Sequence, residues 1–577
     1  MKLPLTITLI LLTTPALAQD ESPTIPPSAQ RFLHWGDQGD GTYANPILNG
    51  DFADADVEKH GDRWVLITST NHLSPGMTIL ESKDLVNWRY TGHAFPSLSW
   101  EPQYAWDQMN GYSWGVWAGD LCWHEERQEW LCYQIDFQSG LYLSRAKDIH
   151  GPWSAEPECL FKRAHSTDPA VFFDDEKKEA WLLINHGTPS ASGKGIDHEL
   201  RLHRLSWDGG TILDPEGGHT LWKGHKVEAA KIRRFHDQWY VMMIEWQGTG
   251  PDRDRKQLCL RSTTDSIYGP YESRTVMERE SNDHRSACQG SLIEAPDGRW
   301  WFLHQLVQNG KPRFMGRPQC LQPVTWVDGW PIIGKDIDGD GIGEPVWTHE
   351  KPMASDRETA FHLQTSDEFD DPDHRLGPQW NWNHEPRNER WSLTAREGHL
   401  RLIASKWTQA DRDKLKGPFW GAPNTLSQRQ LGIGKTRVEA KLDISGLKPG
   451  TRTGITHFSG FFPGMKTGSY ALFGVHEEND GQRVLFFIDQ DSATAGEELS
   501  PEVETIYLRS DTDFDRATFS WSLDGETWNQ TDHTHQLTFG SWRGNRPGLF
   551  CWNARTDEPT ETGWVDVDWF RYSPLNH

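Results

Sequence analysis

The sequence is poor in cysteine, carries no excess of positive charge and contains no low-complexity tract. Its seven cysteines among 577 residues form no paired C-x-x-C motif, which argues against a cysteine-based metal centre. A disulfide framework is not needed at this length, although one or two bridges are allowed in an oxidising compartment. The formal net charge of −25 makes nucleic acids and anionic membrane surfaces unfavourable partners. Apolar residues make up 36% of the chain, enough to build folded cores.

The N-terminus carries an apolar run, from Leu3 to Thr14, that is too short and too interrupted to span a membrane. Lys2 precedes the run, and a small-residue cleavage motif ends at Ala18. This pattern predicts a secretory signal at residues 1–18. We therefore expect a secreted or periplasmic protein without a membrane span.

The first 330 residues contain one pattern five times: a strand enters a tight polar turn and returns through an aromatic residue into a second apolar strand. The turns carry the Gly-Asp, charged or Asp-Gly residues that β-hairpins require. The returning aromatic residues, 51 to 66 positions apart, are Trp64, Trp130, Trp181, Trp239 and Trp300. No helical periodicity separates the copies, so the chain is predicted to form a five-bladed β-propeller over residues 31–350.

Carboxylates recur at one register of this pattern, 10 to 13 positions before the returning aromatic residue. They are Asp54, Asp120, Asp168 and Glu228, and Gln289 takes the place in the fifth copy. These residues open the innermost strands, so their side chains are expected to meet at one mouth of the central channel. A single carboxylate at a strand start often only bonds a turn. Several around one axis repel each other and are costly to desolvate, which favours a functional role.

A carboxylate cluster of this kind contains the parts needed to hydrolyse a glycosidic bond. One carboxylic acid protonates the leaving oxygen, and one carboxylate activates water or attacks the anomeric carbon. A third carboxylate helps to keep the acid protonated. Glu228 suits the acid because its neighbours are small and apolar and its side chain has the longer reach. The 31 tryptophans either pack the blades or, in a minority, form flat platforms for sugar rings.

At these residues the sequence resembles glycoside hydrolase family 43, whose fold is a five-bladed propeller. The motifs that carry the resemblance are NPILNGDFADADV from Asn45, STDPAVFFDD from Ser166, VEAAKI from Val227, QGSLIEAPDGRWW from Gln289 and TWVDGWP from Thr325. The resemblance implies that Asp54 is the general base, Glu228 the general acid, and Asp168 the residue that orients the acid and keeps it protonated. It also implies inversion of configuration and a structural role for Asp120.

The sequence departs from the family pattern at two places. Relatives usually have proline after Asp54, whereas this sequence has Ala55 followed by Asp56. Strand alternation predicts the same direction for Asp56 and Asp54, so Asp56 competes for the role of base, and we favour Asp54. Gln289 stands where many relatives have a histidine that holds a central water or calcium ion, so an axial metal is not implied here.

Three further residues are predicted to bind the substrate: Trp117, Gln289 and Arg317. Trp117 lies where relatives offer an aromatic wall to the first sugar, and Arg317 resembles an arginine that binds sugar hydroxyl groups. The alternatives are blade packing for Trp117 and a surface salt bridge for Arg317.

Residues 366–577 form a second all-β region without the repeat, after a segment at 351–365 that is predicted to be an exposed linker. Strands that alternate apolar and polar residues, such as TRVEAKLDI from Thr436, predict a β-sandwich. The opening DEFDDP and the closing VDVDWFRY resemble the concanavalin A-like jelly roll of family β-xylosidases. The resemblance implies calcium ligands at Asp370 and Asp568, and a domain that walls one side of the active-site pocket.

An acidic loop precedes the second region. Asp336, Asp338, Asp340 and Gly341 match the first half of an EF-hand calcium loop, but Trp347 replaces the required glutamate. A complete EF-hand is therefore excluded, which leaves a looser calcium site or, as we favour, a plain acidic turn. No cofactor is expected for catalysis, and calcium is expected only in a structural role.

The expected function is that of an exo-acting β-xylosidase or α-L-arabinofuranosidase on plant cell-wall oligo- or polysaccharides. Two alternatives stay open: an exo-glycosidase of galactan or pectin side chains, and a non-catalytic carbohydrate-binding protein on the same scaffold. A retaining fructosidase is disfavoured because the sequence contains no Asn-Asp-Pro-Asn motif.

Overall fold

The computed structural model describes residues 25–162, 165–189, 196–247, 254–278, 284–308, 313–354, 360–406, 418–462, 468–490, 492–555 and 562–574. Strands dominate the regular secondary structure of these residues, which confirms the all-β class. The exceptions are one α-helical turn and short 3₁₀ segments, at Pro27–Gln30, Arg31–Leu33, Pro102–Tyr104, Arg313–Met315, Asn388–Arg390 and Pro418–Gly421. The predicted signal at 1–18 lies outside the described residues. In the part that is described, no helix has the length and hydropathy to cross a membrane.

Five four-stranded antiparallel sheets follow one another along the described part of the first 333 residues, and we number them sheets 1 to 5. The strands of sheets 1 and 2 are Asp56–His60, Arg63–Thr68, Gly76–Ser82 and Trp88–Phe95, then Gly119–His124, Glu129–Asp136, Gly140–Ala146 and Glu158–Phe161. Those of sheets 3 and 4 are Ser166–Asp174, Glu179–Pro189, Ile196–Leu205 and His219–Gly224, then Glu228–Phe235, Gln238–Gln247, Asp254–Ser262 and Tyr271–Met277. Those of sheet 5 are His284–Glu294, Trp300–Gln308, Gln319–Val327 and Trp330–Ile333. In each sheet the first two strands form the hairpin that the repeat predicts.

The first strand of each sheet, here called its inner strand, lies beside the inner strand of the next sheet. The inner strand of sheet 5 in turn contacts that of sheet 1, so the five inner strands form a ring. All five returning tryptophans of the repeat are buried, which makes them packing residues rather than sugar platforms. A small sheet of Gly36–Asp37, Thr42–Ala44 and Thr348–Glu350 pairs the beginning of this region with its end.

The second region contains two larger sheets that share one apolar core. In the first, the strands run in the order Ser492–Leu499, Arg483–Asp489, Tyr470–Glu477, Thr451–Phe458, Arg546–Asn553, Leu426–Ser427 and Asn381–Asn383, with Ser405–Lys406 beside Arg546–Asn553. In the second, the order is Trp391–Ser392, Leu400–Ile403, Trp564–Pro574, Thr436–Asp443, Thr505–Asp513, Arg516–Ser522 and Asn529–Gln536. Leu73–Ser74 from the first region extends the first of these sheets by pairing with Asn381–Asn383.

Within the segment predicted to be an exposed linker, Lys351 and Gln364 are bonded to the first region, which corrects the prediction at these two residues. Lys351 is 8% exposed, and its Nζ lies 2.7 Å from Asp37 Oδ2. The Gln364 side chain accepts a hydrogen bond from the backbone N–H of Tyr90 and donates one to the Tyr90 carbonyl. The polar composition of the segment does not reveal these partners, because they lie far away in the sequence.

Buried charges join the two regions. Arg543, in the second region, donates to Asp51, Ser69 and Asn71 of the first. Burial alone would raise the pKa of Asp51, but the positive charges of Arg543, Arg317 and Arg429 outweigh it and lower that pKa. The carboxylate of Asp51 therefore stays ionised, as a well-compensated buried charge must.

A neutral histidine is buried in the same interface. His72 places one ring nitrogen 3.1 Å from Asn383 Oδ1, and its other nitrogen accepts a hydrogen bond from the backbone N–H of Ser113. A neutral ring satisfies both contacts, whereas a protonated ring would lose its acceptor. Burial lowers the pKa of His72 to about 3.

The buried neutral histidine predicts an acid sensitivity of the fold that can be measured. The unfolded chain binds a proton at this ring below its ordinary pKa near 6.5, whereas the folded chain binds it only near pH 3. Between these pH values protonation favours the unfolded chain, so the free energy of unfolding falls as the pH drops below 6.5. In His72→Gln, whose amide can make both hydrogen bonds, the free energy of unfolding should fall less steeply between pH 6.5 and pH 4, by about 1.4 kcal/mol per pH unit. Urea unfolding at several pH values measures this slope. The exposed His236→Gln is the matched control, and equal slopes in His72→Gln and the wild type would contradict the assignment.

Candidate active site

One cavity of about 260 Å³ lies at the end of the ring of inner strands, where the second region meets the first. All six residues predicted for catalysis and substrate binding line it: Asp54, Asp168, Glu228, Trp117, Gln289 and Arg317. Residues that the sequence did not single out complete the wall, among them Asn71, Phe137, His198, Arg255, Gln305 and Trp542. Side chains from the strands of sheets 3 to 5, from the segments that flank the strands of sheets 1 and 2, and from the second region therefore meet at one place.

Asp54 is held by cationic and neutral donors on the side of sheets 1 and 5. Its Oδ1 lies 2.8 Å from Arg317 Nη1, and its Oδ2 accepts a hydrogen bond of 2.7 Å from the Ser69 hydroxyl. Its backbone N–H donates to Gln305 Oε1 at 2.9 Å. A carboxylate with these partners is kept in one orientation, which a general base needs.

Asp168 and Glu228 lie on the opposite side of the cavity, in sheets 3 and 4. Burial and, after it, the negative charges of Glu228 and Asp54 raise the pKa of Asp168 to about 6, although hydrogen bonds from the Ala229 amide and the Thr167 side chain act against the rise. Glu228 Oε2 lies 3.7 Å from Arg255 Nη2. Asp168 is thus near enough to Glu228 and to Asp54 to interact with both electrostatically.

Two glutamines bridge the two sides of the cavity. Gln305 Nε2 donates to Gln289 Oε1 at 2.7 Å, and Gln289 Nε2 lies 3.5 Å from Asp168 Oδ1. The same Gln305 amide lies 3.4 Å from Asp54 Oδ1. The bridge runs from Asp54 to Asp168 through neutral side chains, which separates the two carboxylates without cancelling either charge.

Left-handed backbone conformations aim these side chains. Asp54, Asp168 and Gln289 have φ angles of 56°, 53° and 61°, and Ala229, next to Glu228, has 60°. The ladders of sheets 3, 4 and 5 shift register at the same residues. A left-handed residue in a bulge turns its side chain out of the regular strand alternation, and non-glycine residues adopt this conformation at a cost of about 1–3 kcal/mol. Bulges of this kind are common beside active sites.

The competitor for the role of base, Asp56, does not line the cavity. It is completely buried, and its carboxylate accepts hydrogen bonds from the Leu121 amide and the Ser291 hydroxyl. Strand alternation predicted the same direction for Asp56 and Asp54, but the left-handed turn at Asp54 separates them. Asp120 is likewise buried below the cavity, where it bonds Lys231 and the Val171 amide.

Trp117 forms one wall of the cavity together with Phe137. Their rings stack with centroids 4.9 Å apart and an interplanar angle of 19°, and Trp114 stacks on Phe137 at 5.6 Å. The Trp117 indole N–H donates to the Ser113 carbonyl, which fixes the plane of the ring. A half-buried indole held in this way presents an apolar face to the cavity.

Arg317 and Trp542 connect the cavity to the second region. Arg317 is 8% exposed, so it is not a surface salt bridge, and its Nη2 donates to the Trp542 carbonyl at 3.2 Å. Trp542 lies in a loop of the second region, has a φ of 67° and leaves 48% of its side chain exposed. An exposed indole in a strained backbone conformation beside a cavity is a candidate contact for a ligand.

The predicted calcium ligands lie away from this cavity. Asp370 is exposed, and Asp568 Oδ2 accepts a hydrogen bond of 2.6 Å from Lys441 Nζ. Among the described residues, the group of three or more possible ligands that could hold a metal ion is Asp336, Asp338 and Asp340. These carboxylates accept backbone N–H groups of their own loop, as a plain acidic turn does. Calcium at Asp370 and Asp568 stays a prediction, and the ion pair of Asp568 does not favour it.

Two family models match the chain. Residues 43–331 match glycosyl hydrolases family 43, and residues 366–573 match the beta xylosidase C-terminal concanavalin A-like domain. A β-xylosidase of Formosa agariphila is 46% identical over 93% of this chain and 91% of its own length. A non-reducing end α-L-arabinofuranosidase of Bacteroides ovatus, BoGH43B, is 29% identical over 68% of this chain and 71% of its own length.

A solved structure shares the fold. The GH43 protein BlXynB from Bacillus licheniformis superimposes with a TM-score of 0.73 over 92% of this chain and 100% of its own, at 22% identity. At this identity the structural similarity supports a shared fold alone. The family models and the 46% identical relative support a shared chemistry. The chain therefore belongs to glycosyl hydrolases family 43 and is an enzyme that hydrolyses glycosidic bonds.

Proposed function

We propose that the protein is an exo-acting, inverting glycosidase that releases a pentose, xylose or arabinose, from the non-reducing end of plant cell-wall oligosaccharides. One observation carries the proposal: Asp54, Asp168 and Glu228 line a single small cavity that Trp542 of the second region borders. The five sheets would be the five blades of a propeller, with their inner strands around its axis, and the second region would be a jelly-roll sandwich.

Each carboxylate has a distinct role in this mechanism. Asp54, oriented by Arg317 and Ser69, takes a proton from a water molecule that attacks the anomeric carbon. Glu228, on the other side of the cavity, donates its proton to the departing oxygen. An inverting enzyme leaves about 6.5–9.5 Å between these two carboxyl groups so that the water fits beside the sugar. The two glutamines that line the cavity stand between Asp54 and Asp168, whose pKa the Glu228 charge raises, and this arrangement supports such a separation.

Asp168 helps Glu228 to keep its proton. Burial and, after it, the Glu228 charge raise the pKa of Asp168 to about 6. The amide of Ala229 bonds Asp168, so the residue that tunes the acid is attached to the strand that carries it.

The size of the cavity supports action at a chain end. A volume of about 260 Å³ is slightly below the usual range for ligand pockets, about 300–1,000 Å³, and suits a terminal sugar rather than a long stretch of chain. Trp542 and the stacked Trp117 enclose it from two regions of the molecule. The names of the two relatives support xylose or arabinose as the released sugar.

Two further properties belong to this proposal. The N-terminal signal pattern supports a secreted or periplasmic location. Catalysis needs no cofactor, because side chains supply both proton transfers, and calcium would have a structural role only.

The first test combines a substrate panel with one substitution. The wild type should hydrolyse aryl β-xyloside or aryl α-L-arabinofuranoside, and Glu228→Gln should lower kcat by about 10³-fold, because an amide cannot donate the proton. An aryl substrate with a strongly acidic leaving group should lose much less, since it departs without protonation. Release of the aryl group measures each rate.

The control for this test is Glu216→Gln, an exposed glutamate outside the cavity, which should retain wild-type kcat. Full activity of Glu228→Gln on all substrates would remove Glu228 from the mechanism. Hydrolysis of galactosides but of neither pentoside would replace the proposed substrate class with galactan side chains.

A second test concerns the share of the second region in substrate binding. Trp542→Ala should raise KM for xylobiose or the matching arabino-oligosaccharide about five- to thirtyfold, because a lost aromatic contact costs about 1–2 kcal/mol. The Trp542 carbonyl, which holds Arg317, is retained in this variant. Steady-state kinetics measure the change, with the exposed Leu523→Ala of the same region as control. An unchanged KM would show that the substrate does not contact Trp542.

A further inference from the structure

A buried ion cluster lies directly below the catalytic cavity, on the axis of the ring. The ammonium of Lys231 lies 2.8 Å from Asp120 Oδ1, 2.8 Å from the Gly119 carbonyl and 3.3 Å from Asp56 Oδ1. Lys231 is 9% exposed, and Asp56 and Asp120 are completely buried. A buried lysine is costly unless several groups compensate its charge, and here three oxygen atoms do so.

The two aspartates extend this cluster to every inner strand. Asp120 Oδ2 accepts a hydrogen bond of 2.9 Å from the Val171 amide in sheet 3. Asp56 accepts one from the Leu121 amide in sheet 2 at 3.0 Å and one from the Ser291 hydroxyl in sheet 5 at 2.8 Å. Since Asp56 belongs to sheet 1 and Lys231 to sheet 4, one connected network joins all five inner strands.

Each contact of the network lies just beyond a residue of the cavity. Asp56 follows Asp54 by two positions, and Lys231 follows Glu228 by three. In sheets 3 and 4 the register shift lies between the cavity residue and the network residue. The network therefore fixes the regular part of each strand. The bulge that orients the cavity residue lies between this fixed part and the cavity.

We propose that Lys231 is a positioning residue, a built-in cation on the axis that holds Asp54, Asp168 and Glu228 in register through the inner strands. This inference rests on the proposed function, since it concerns how the same three carboxylates are placed. In this arrangement the ammonium of one side chain connects several strands at once, as a bound metal ion could.

The charges around Lys231 come from three sheets. Sheet 1 supplies Asp56 and Glu58, sheet 2 supplies Asp120, and sheet 4 supplies Lys231 and Arg233. Sheet 2 also supplies the thiols of Cys122 and Cys132, whose pKa burial raises, and sheets 3 and 5 supply the neutral donors already named. Burial raises the pKa of Glu58 to about 7. For Lys231, burial acts to lower the pKa, but Asp120 and Asp56 outweigh it and raise that pKa, so the ammonium stays charged.

The test uses three variants of the full chain on the pentoside that the wild type hydrolyses. Lys231→Met should lower kcat about hundredfold with less than a threefold change in KM, because a small displacement of catalytic groups has this cost. Its pH optimum should move to higher pH, because the uncompensated aspartates below the cavity increase the affinity of the catalytic carboxylates for protons. Lys231→Arg keeps the positive charge and should keep the wild-type pH optimum with a reduced kcat.

The double variant Lys231→Met with Asp120→Asn covers the case in which the single variant does not fold. It removes one charge of each sign, and should return the pH optimum to the wild-type value while kcat stays at least tenfold low. Lys178→Met, which removes an exposed lysine paired with Glu126, is the control and should match the wild type.

A wild-type kcat and pH optimum in Lys231→Met or in the double variant, even with a lowered melting temperature, would overturn the inference, since Lys231 would then be only structural. Absence of pentosidase activity in the wild type would instead contradict the proposed function. The two failures are therefore distinguishable in one experiment.

Discussion

The pairing of Lys231 with Asp56 and Asp120 is the constraint on which the arrangement of the site depends. Three carboxylates above it repel each other, and no regular strand would aim them at one point. A cation on the axis opposes that repulsion. Through the hydrogen bonds of its partners to all five inner strands, it also fixes the position of each strand along the axis. Breaking a buried pair by removing one partner commonly costs about 3–5 kcal/mol, so this cluster couples the stability of the ring to the geometry of the cavity.

The second region completes the site rather than merely following it in the chain. Arg317 contacts Asp54 on one side and the Trp542 carbonyl on the other, so the base and the second region share one guanidinium. Arg543 crosses the interface to Asp51, three residues before Asp54. Four strained backbone positions and an exposed indole concentrate around the same cavity, and strain of this kind persists where the surrounding structure over-determines it.

Local sequence patterns predict the hairpins and the register of Asp54, Asp168 and Glu228, because both depend on turn residues and on a repeat that can be counted. They do not predict the left-handed conformations of Asp54, Asp168 and Gln289, because no glycine occupies these positions. Strand alternation therefore gave a wrong direction for Asp56. The sequence does not predict the roles of Trp542 and Lys231, because these roles depend on partners from other sheets. The contact of Lys351 with Asp37 was not predicted for the same reason. Polar composition alone suggested an exposed linker there.

The central claim is that Asp54 and Glu228 face each other across a cavity with room for a water molecule beside the sugar. The anomer that forms first tests it most directly. Proton NMR during hydrolysis of a β-xyloside by the wild type should detect α-xylose before mutarotation, because water attacks from the face opposite to the leaving group. Initial formation of β-xylose would contradict the account, since retention requires a carboxylate close enough to bond the anomeric carbon itself.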